Sequence, residues 1–340
     1  MPQSPTTSTP PRRLFVIGDG GWGTALAIVA SSNGHDVTVW GHDEAQIEAV
    51  RREREHRAFL PAIPRDERIA WTHRFDGIGE ADRILSVVPS KFLRGVLATL
   101  KKSFDGGVPI VSCTKGIDSK RLVRPTETIA EVFPEAPIAV LCGPSHAEEV
   151  ARGLPATVVC ASADEGLASA VQRELSGPTF RIYTSDDVTG VELAGALKNV
   201  IAIAAGICDG LGLGDNAKSA LMVRGMAEMV RFATAFGARG ETLAGLSGIG
   251  DLITTCISPH GRNRAVGEAI AHGKTLDDIA AATQQVAEGV LTVRSIARMA
   301  KKLEVEMPIT EEVYRVLYRH KDPRKGVVDL MTRRYKSELE

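Results

Sequence analysis

A few polar side chains, each set among glycines or apolar residues, are the ones best placed to do chemistry. Lys198 sits inside Val191–Gly206, a run whose other polar members are Glu192 and Asn199. A helix of that composition buries most of its circumference. An ammonium taken out of water is disfavoured in its charged form, which makes Lys198 a proton donor and acceptor near neutral pH; the other reading is a lysine snorkelling from a buried stem. One helical turn away, Ala194, Gly195, Ile201 and Ala202 leave room for a backbone or ligand to approach. Lys115, in Cys113-Thr114-Lys115-Gly116, follows an apolar run and is either a ligand contact or a surface lysine. Asp251 follows the glycine-rich Gly245–Gly250 and is either a helix cap or an ionised partner for a lysine or a substrate hydroxyl. Gly261-Arg262-Asn263-Arg264 offers a guanidinium and an amide before a helix, suited to a phosphate, or else a solvated basic turn. Glu288 stands at a turn before a further helix with no role that spacing assigns.

The elements that must position these groups fall into two kinds. Leu14–Ile17 is a short apolar strand running into Gly18-Asp19-Gly20-Gly21-Trp22-Gly23, followed by a helix closed at Asn33-Gly34 and a second strand, Asp36–Trp40. Strand, glycine turn, helix and strand in one unit form a dinucleotide-binding fingerprint. Gly18 makes the tight turn, Gly20 admits a pyrophosphate to the backbone, and Gly23 lets helix and strand pack. Asp19 places a carboxylate inside that loop, so its side chain must point away from the phosphates. At the end of the second strand, Trp40-Gly41-His42-Asp43 has no carboxylate where a ribose 2′-hydroxyl would need one, so NAD and NADP both stay open. Arg83–Pro89, Pro109–Cys113, Pro137–Leu141 and Ala156–Cys160 are further apolar strands. Their alternation with helices predicts a largely parallel, Rossmann-like α/β sheet over residues 14–185. Cys142-Gly143-Pro144-Ser145-His146-Ala147 opens a helix at one strand end. From Asp186 to Glu340 the pattern is helical throughout, predicting an all-α second domain. There the Lys198 helix gives way to a glycine-rich loop through Gly214, and Asp215-Asn216 cap the next helix. Residues 1–13, rich in Pro, Ser and Thr, read as a disordered tail.

With 41 basic and 42 acidic residues, the net charge of −1 gives no support for a nucleic-acid or anionic-membrane partner. Five cysteines without a C-x-x-C spacing point to a reduced, cytoplasmic setting. No apolar run reaches the roughly 18 residues of a membrane span, and no metal site is expected.

Taken together, the Gly18–Gly23 turn leading into Thr24-Ala25-Leu26-Ala27, Thr114-Lys115-Gly116, Gly143-Pro144-Ser145, Leu197-Lys198-Asn199-Val200, Gly248–Asp251 and Arg262-Asn263-Arg264 resemble the bacterial-type NAD(P)-dependent sn-glycerol-3-phosphate dehydrogenases. The resemblance covers the chain from Leu14 onward. It implies reversible hydride transfer between glycerol 3-phosphate and dihydroxyacetone phosphate, feeding phospholipid synthesis, with NAD or NADP as cofactor. It further implies Lys198 as catalytic acid/base, and substrate contacts from Lys115, Gly143, Ser145, Asp251, Gly261, Arg262 and Asn263. Beside Gly18, Gly20 and Gly23, the cofactor would be lined by Gly21, Trp22, His42, Lys115, Ala147, Arg262, Val286 and Glu288. The two lysines would lie close together, each lowering the other's pKa. Three positions depart from the family: Gly261 where Ser is usual, His146 where Phe is common, and Asp19 where Ala is common. A homodimer is expected from base rates. Two other readings remain at this stage, a β-hydroxyacid-type dehydrogenase acting on a carboxylate and a dinucleotide sensor without turnover.

Overall fold

The computed structural model describes residues 10–53, 55–64, 66–282, 287–335 and 337–338. They form two compact units. The first runs to Val88 and takes in Phe92–Thr114 and Thr126–Val188; the second joins Pro89–Lys91 and Lys115–Pro125 to everything from Thr189 onward. The second unit therefore includes two segments that lie, in sequence, inside the expected 14–185 domain. Of the expected tail, residues 1–9 lie outside the described residues, and Arg13 already belongs to the first strand.

Among the described residues there are ten strands: β1 (Arg13–Ile17), β2 (Asp36–Trp40), β3 (Glu55–His56), β4 (Leu60–Pro64), β5 (Ala70–Thr72), β6 (Arg83–Ser86), β7 (Ile110–Ser112), β8 (Ile138–Cys142), β9 (Ala156–Ala161) and β10 (Phe180–Ser185). Eight of them make one sheet in the order β10-β9-β8-β7-β6-β1-β2-β5, and β3 and β4 pair separately. All neighbours in the large sheet run parallel except β8 and β9. Continuous apolar strands make this possible because both faces are covered. Leu14 and Val16 join one apolar cluster with Ala25 and Val29, while Phe15 and Ile17 join another with Leu93, Leu97 and Phe133. β1 lies where the strand order reverses, between β2 and β6, the place where such sheets hold their ligands.

β6 also carries a buried ion pair: Arg83 Nη2 and Nε donate to Glu174 Oε1 and Oε2 at 2.8 and 3.1 Å. Removing one partner strands the other charge. Glu174→Ala is expected to cost about 3–5 kcal/mol in urea unfolding. A loss under about 1 kcal/mol would show the pair to behave as a surface one.

The second unit is built around the Val188–Gly210 helix, which is buried from Gly190 to Cys208. Leu193, Leu197, Val200 and Ile201 pack with Met229, Phe232, Val293, Ile296, Val313 and Leu317 from the surrounding helices. The expected loop after Gly206 is instead the last turn of this helix. The reason is packing: Gly206 and Gly267 let the Arg262–Ala271 helix come so close that an added Cβ would lie 1.9 Å from Arg264 O or 2.0 Å from Ile203 O. Nor do Asp215-Asn216 cap the next helix, which starts at Gly214 with no side-chain cap. The Val188–Gly210 helix, though interrupted by Glu192 and Lys198, is long and apolar enough to cross a membrane by length and composition, and its apolar window is wholly buried in the protein.

Glu228, on the Gly214–Ala235 helix, caps the Pro308–Arg319 helix by accepting from Ile309 N (2.5 Å), Thr310 N (3.1 Å) and Thr310 Oγ1 (3.0 Å). Burial pushes its carboxyl up to about 7, against the pull of those donors and Arg231. The folded protein thus holds this proton more tightly than the unfolded chain. Its contribution to stability is full below about pH 4.5 and is lost as pH rises through about 7, on the order of 3 kcal/mol. Glu228→Gln removes that titration, so the gap between unfolding free energies at pH 5 and pH 8 should narrow by about that amount. An unchanged gap would assign the pH dependence to other groups.

Candidate active site

The second unit gathers Lys115, Lys198 and Asp251 around one carboxylate. Asp251 is the first residue of the Asp251–Ile257 helix, entered through a wider π turn at Leu246–Gly250. Gly250 is the N-cap, so Asp251 is not a cap. Its two oxygens take one lysine each: Lys198 Nζ donates to Oδ1 at 2.5 Å, and Lys115 Nζ to Oδ2 at 2.8 Å. Lys198 is 5 % exposed and Asp251 1 %. This is a bonded lysine, not a snorkelling one. Burial alone would raise the Asp251 carboxyl, but the two ammoniums outweigh it and hold it below the usual carboxylate range. The Asp251 carboxylate stands between the two lysines as a shared anion.

Lys198 Nζ has a further partner that the sequence reading missed. It donates to Thr255 Oγ1 at 2.6 Å, while that hydroxyl donates to Asp251 O at 2.7 Å. The i, i+4 spacing of Asp251 and Thr255 on one helix was the available signal. Cys256 is next in the chain, and burial pushes its thiol up to about 12, which rules it out as a nucleophile near neutral pH.

Arg262 and Asn263 begin the Arg262–Ala271 helix, with Gly261 as N-cap. Arg262 is exposed. Asn263 is buried and largely spent on structure: its Oδ1 accepts from Gly289 N at 3.0 Å and its Nδ2 donates to Asn199 Oδ1 at 2.9 Å. Glu288 opens the Glu288–Lys302 helix and accepts from Ser90 N (3.0 Å) and Ser90 Oγ (2.6 Å), a partner not foreseen from sequence. Burial raises the Glu288 carboxyl, opposed by Ser90 and the Arg262 guanidinium. Gly116 is backed so tightly by Glu288 and Ser90 that a Cβ there would lie 2.9 Å from Glu288 Oε2 and Ser90 Oγ. Arg124 Nη1, 3.1 Å from Glu192 Oε2, ties the Lys115–Pro125 segment to the central helix.

The first unit holds the remaining expected residues. Gly18 has φ +118°, and a Cβ there would meet Val87 O at 2.9 Å; one on Gly23 would lie 1.9 Å from Gly18 O. Gly20 differs, since a Cβ there would meet nothing within 4 Å. It is the N-cap of the Gly21–Ser32 helix, whose first turn has no side-chain cap. Open space in front of uncapped backbone N–H groups suits a pyrophosphate, so the residues present fit a dinucleotide. Ala147 Cβ stands 3.5 Å from the Cβ position of Gly21, which brings two of the expected cofactor residues together. Trp22 packs beside Phe180 at 6.3 Å between ring centroids, and His42 is exposed. Ser145 Oγ donates to Gly143 O at 2.9 Å. Ser145 stands one residue before His146, the N-cap of Ala147–Ala151. Val286 lies outside the described residues. Among the described residues no group of three His, Cys, Asp or Glu side chains could hold a metal ion.

Residues 13–168 match the sequence model of the NAD-dependent glycerol-3-phosphate dehydrogenase N-terminus, and residues 187–328 that of its C-terminus. The chain is 44% identical over 332 residues to a glycerol-3-phosphate dehydrogenase [NAD(P)+] of Chlorobium phaeobacteroides, covering 96% of this chain and 99% of the relative. It belongs to the NAD-dependent glycerol-3-phosphate dehydrogenase family. A second relative of the family, from Geobacter sulfurreducens, is 45% identical over 330 residues, covering 96% of this chain and 98% of its own. The crystal structure of a glycerol-3-phosphate dehydrogenase from Coxiella burnetii superposes with a TM-score of 0.91 at 37% identity, covering 95% of this chain and 99% of that one. The largely parallel sheet followed by a helical unit is thus the architecture of a solved member of the family.

Proposed function

We propose that the protein interconverts sn-glycerol 3-phosphate and dihydroxyacetone phosphate with NAD(H) or NADP(H), and that in the reductive direction it supplies glycerol 3-phosphate for phospholipid synthesis. The observation that carries the reading is Lys198, buried and bonded to the carboxylate it shares with Lys115. The nicotinamide cofactor, when bound, supplies or accepts the hydride. What the chain itself provides is a proton and a positive field. As negative charge builds on the C2 oxygen, Lys198 donates its proton to it, and Lys115 adds electrostatic stabilisation. Asp251 holds both ammonium groups in place, and Thr255 fixes the rotamer of the first. Arg262 binds the phosphate, with the one Asn263 amide hydrogen not given to Asn199 assisting; Gly261, whose own N–H is donated to Ser258 O at 3.1 Å, contributes by letting the chain turn close to the substrate. This remote contact positions C2. Gly143 and Ser145 complete the substrate contacts. Gly18, Gly20, Gly21, Trp22, Gly23, His42, Ala147 and Glu288, with Lys115 and Arg262, are the cofactor contacts.

Initial rates of NADH and NADPH oxidation with dihydroxyacetone phosphate, beside unphosphorylated dihydroxyacetone, test this reading. Oxidation that requires the phosphate supports it. Folded protein that oxidises neither nucleotide would return the weight to a carboxylate-specific dehydrogenase or a sensor, the two alternatives that family membership disfavours.

The setting we infer is cytoplasmic, supported by five buried cysteines all present as free thiols. A homodimer is the assembly we infer. Ile249, Ile253 and Ile257, four residues apart, leave 41, 42 and 59 % of their surface exposed along one helical face, as an interface would require. Sedimentation at micromolar concentration checks it.

A further inference from the structure

The end of β2 offers no carboxylate of its own. Gly41 follows the strand, and Asp43 is committed to capping the next helix, accepting from Ala45 N at 3.0 Å and Gln46 N at 3.3 Å. A carboxylate nevertheless arrives at that place from the glycine turn. Asp19 lies with its side chain against Gly41, so that a Cβ built on Gly41 would stand 2.6 Å from both Asp19 Cγ and Oδ2. The space into which a strand-end side chain would project is filled by the Asp19 carboxyl. Only glycine at position 41 admits it.

The carboxyl is held as well as placed. Gln46 Nε2 donates to Oδ2, and His56 Nε2 stands 3.7 Å from the same oxygen. Asp19 is 6 % exposed and His56 3 %. Both neighbours act on Oδ2, and Oδ1 accepts no hydrogen bond among the described residues. One oxygen is therefore anchored and the other is available as an acceptor. In so shielded a place a charge acts on another charge far more strongly than it would in water. The exposed His42 beside it is screened by solvent and makes a weak counterweight.

We propose that Asp19 sets the nucleotide preference of this protein. From within the phosphate loop it does what an acid at the strand end does in other dinucleotide-binding folds. It accepts from a ribose hydroxyl of NAD(H) and repels the 2′-phosphate of NADP(H). The loop carboxylate, an apparent misfit with the pyrophosphate, is turned away from it and toward the ribose side. This rests on the dehydrogenase reading above and adds to it a preference for NAD(H).

Equilibrium binding tests it without turnover. Dissociation constants for NADH and NADPH would be measured by fluorescence titration at one ionic strength for the wild type, Asp19→Asn and Asp19→Ala. The asparagine keeps the volume and an acceptor for Gln46 while removing the charge, so it decides the matter if the alanine variant melts early. The wild type is expected to bind NADH at least ~10-fold more tightly than NADPH, the worth of one charge-assisted hydrogen bond. Both variants should shrink that ratio by a similar factor, with NADPH binding more tightly than before. A wild type that prefers NADPH or binds both equally, or a ratio that Asp19→Asn leaves unchanged, overturns this proposal alone. Protein that is folded yet binds neither nucleotide overturns the dehydrogenase reading with it.

Discussion

Lys198→Ala is expected to lower kcat for dihydroxyacetone phosphate reduction by at least ~10²-fold, the usual contribution of a positioned acid–base group. KM should move much less, because the phosphate contact at Arg262 is left intact. The substitution also leaves Asp251 with Lys115 still bonded at 2.8 Å, so the carboxylate is not stranded and the variant should fold. Circular dichroism and single-turnover NADH oxidation on the same preparation separate the two effects. Near-normal turnover from the variant would remove Lys198 from the chemistry, leaving it a structural lysine.

Asp251→Ala is expected to do more damage to the fold and comparable damage to the rate. It removes the carboxylate that two ammonium groups share, and Lys198 is buried at 5 % exposure. Breaking a buried pair in this way costs about 3–5 kcal/mol, because an uncompensated charge stays behind. Asp251→Asn keeps the shape, so it should retain more stability than alanine while still losing most activity. The pH dependence has a definite sign. Since the folded carboxyl is held below its ordinary value, its contribution to stability is present above the unfolded pKa and is lost as pH falls through the folded one. Acid unfolding of the asparagine variant should therefore be shallower than that of the wild type. Two variants as stable as the wild type at pH 7 would mean that solvent, not Asp251, compensates the lysines.

The parts of the fold legible in the sequence were those carried by local pattern. β1, the glycine turn and β2 were readable because Leu14–Ile17 and Asp36–Trp40 are short runs bounded by glycine, and the apolar runs around Ile84, Ile110 and Ile138 are buried on both faces. β5 and β10 were not, since they are the edges of the sheet. Phe180–Ser185 alternates buried and exposed residues and ends in polar ones, while Ala70–Thr72 is too short to show a period. Glycines misled the reading at Gly206 and Gly210: a residue that usually ends helices is kept helical there by a neighbouring backbone. The chemical residues were individually visible, but the pairing of Lys115 with Asp251 spans 136 positions, and no local rule reports it. Thr255, a hydroxyl in an apolar helix, acquires meaning only once Lys198 is seen to point at it.

The detour of Lys115–Pro125 into the helical unit bears on how the chain is made. On a ribosome this segment emerges long before the residues it must meet. Ile117 finishes the apolar cluster of a unit whose main body begins at Thr189, and Lys115 waits for Asp251. Closing so long a loop carries an entropic cost that short-range helix contacts do not, which slows assembly. A fragment starting at Thr189 would contain every long helix of that unit and still lack a segment of its interior. Its translation product would be a partner seeking a missing piece, and the natural chain supplies that piece in advance.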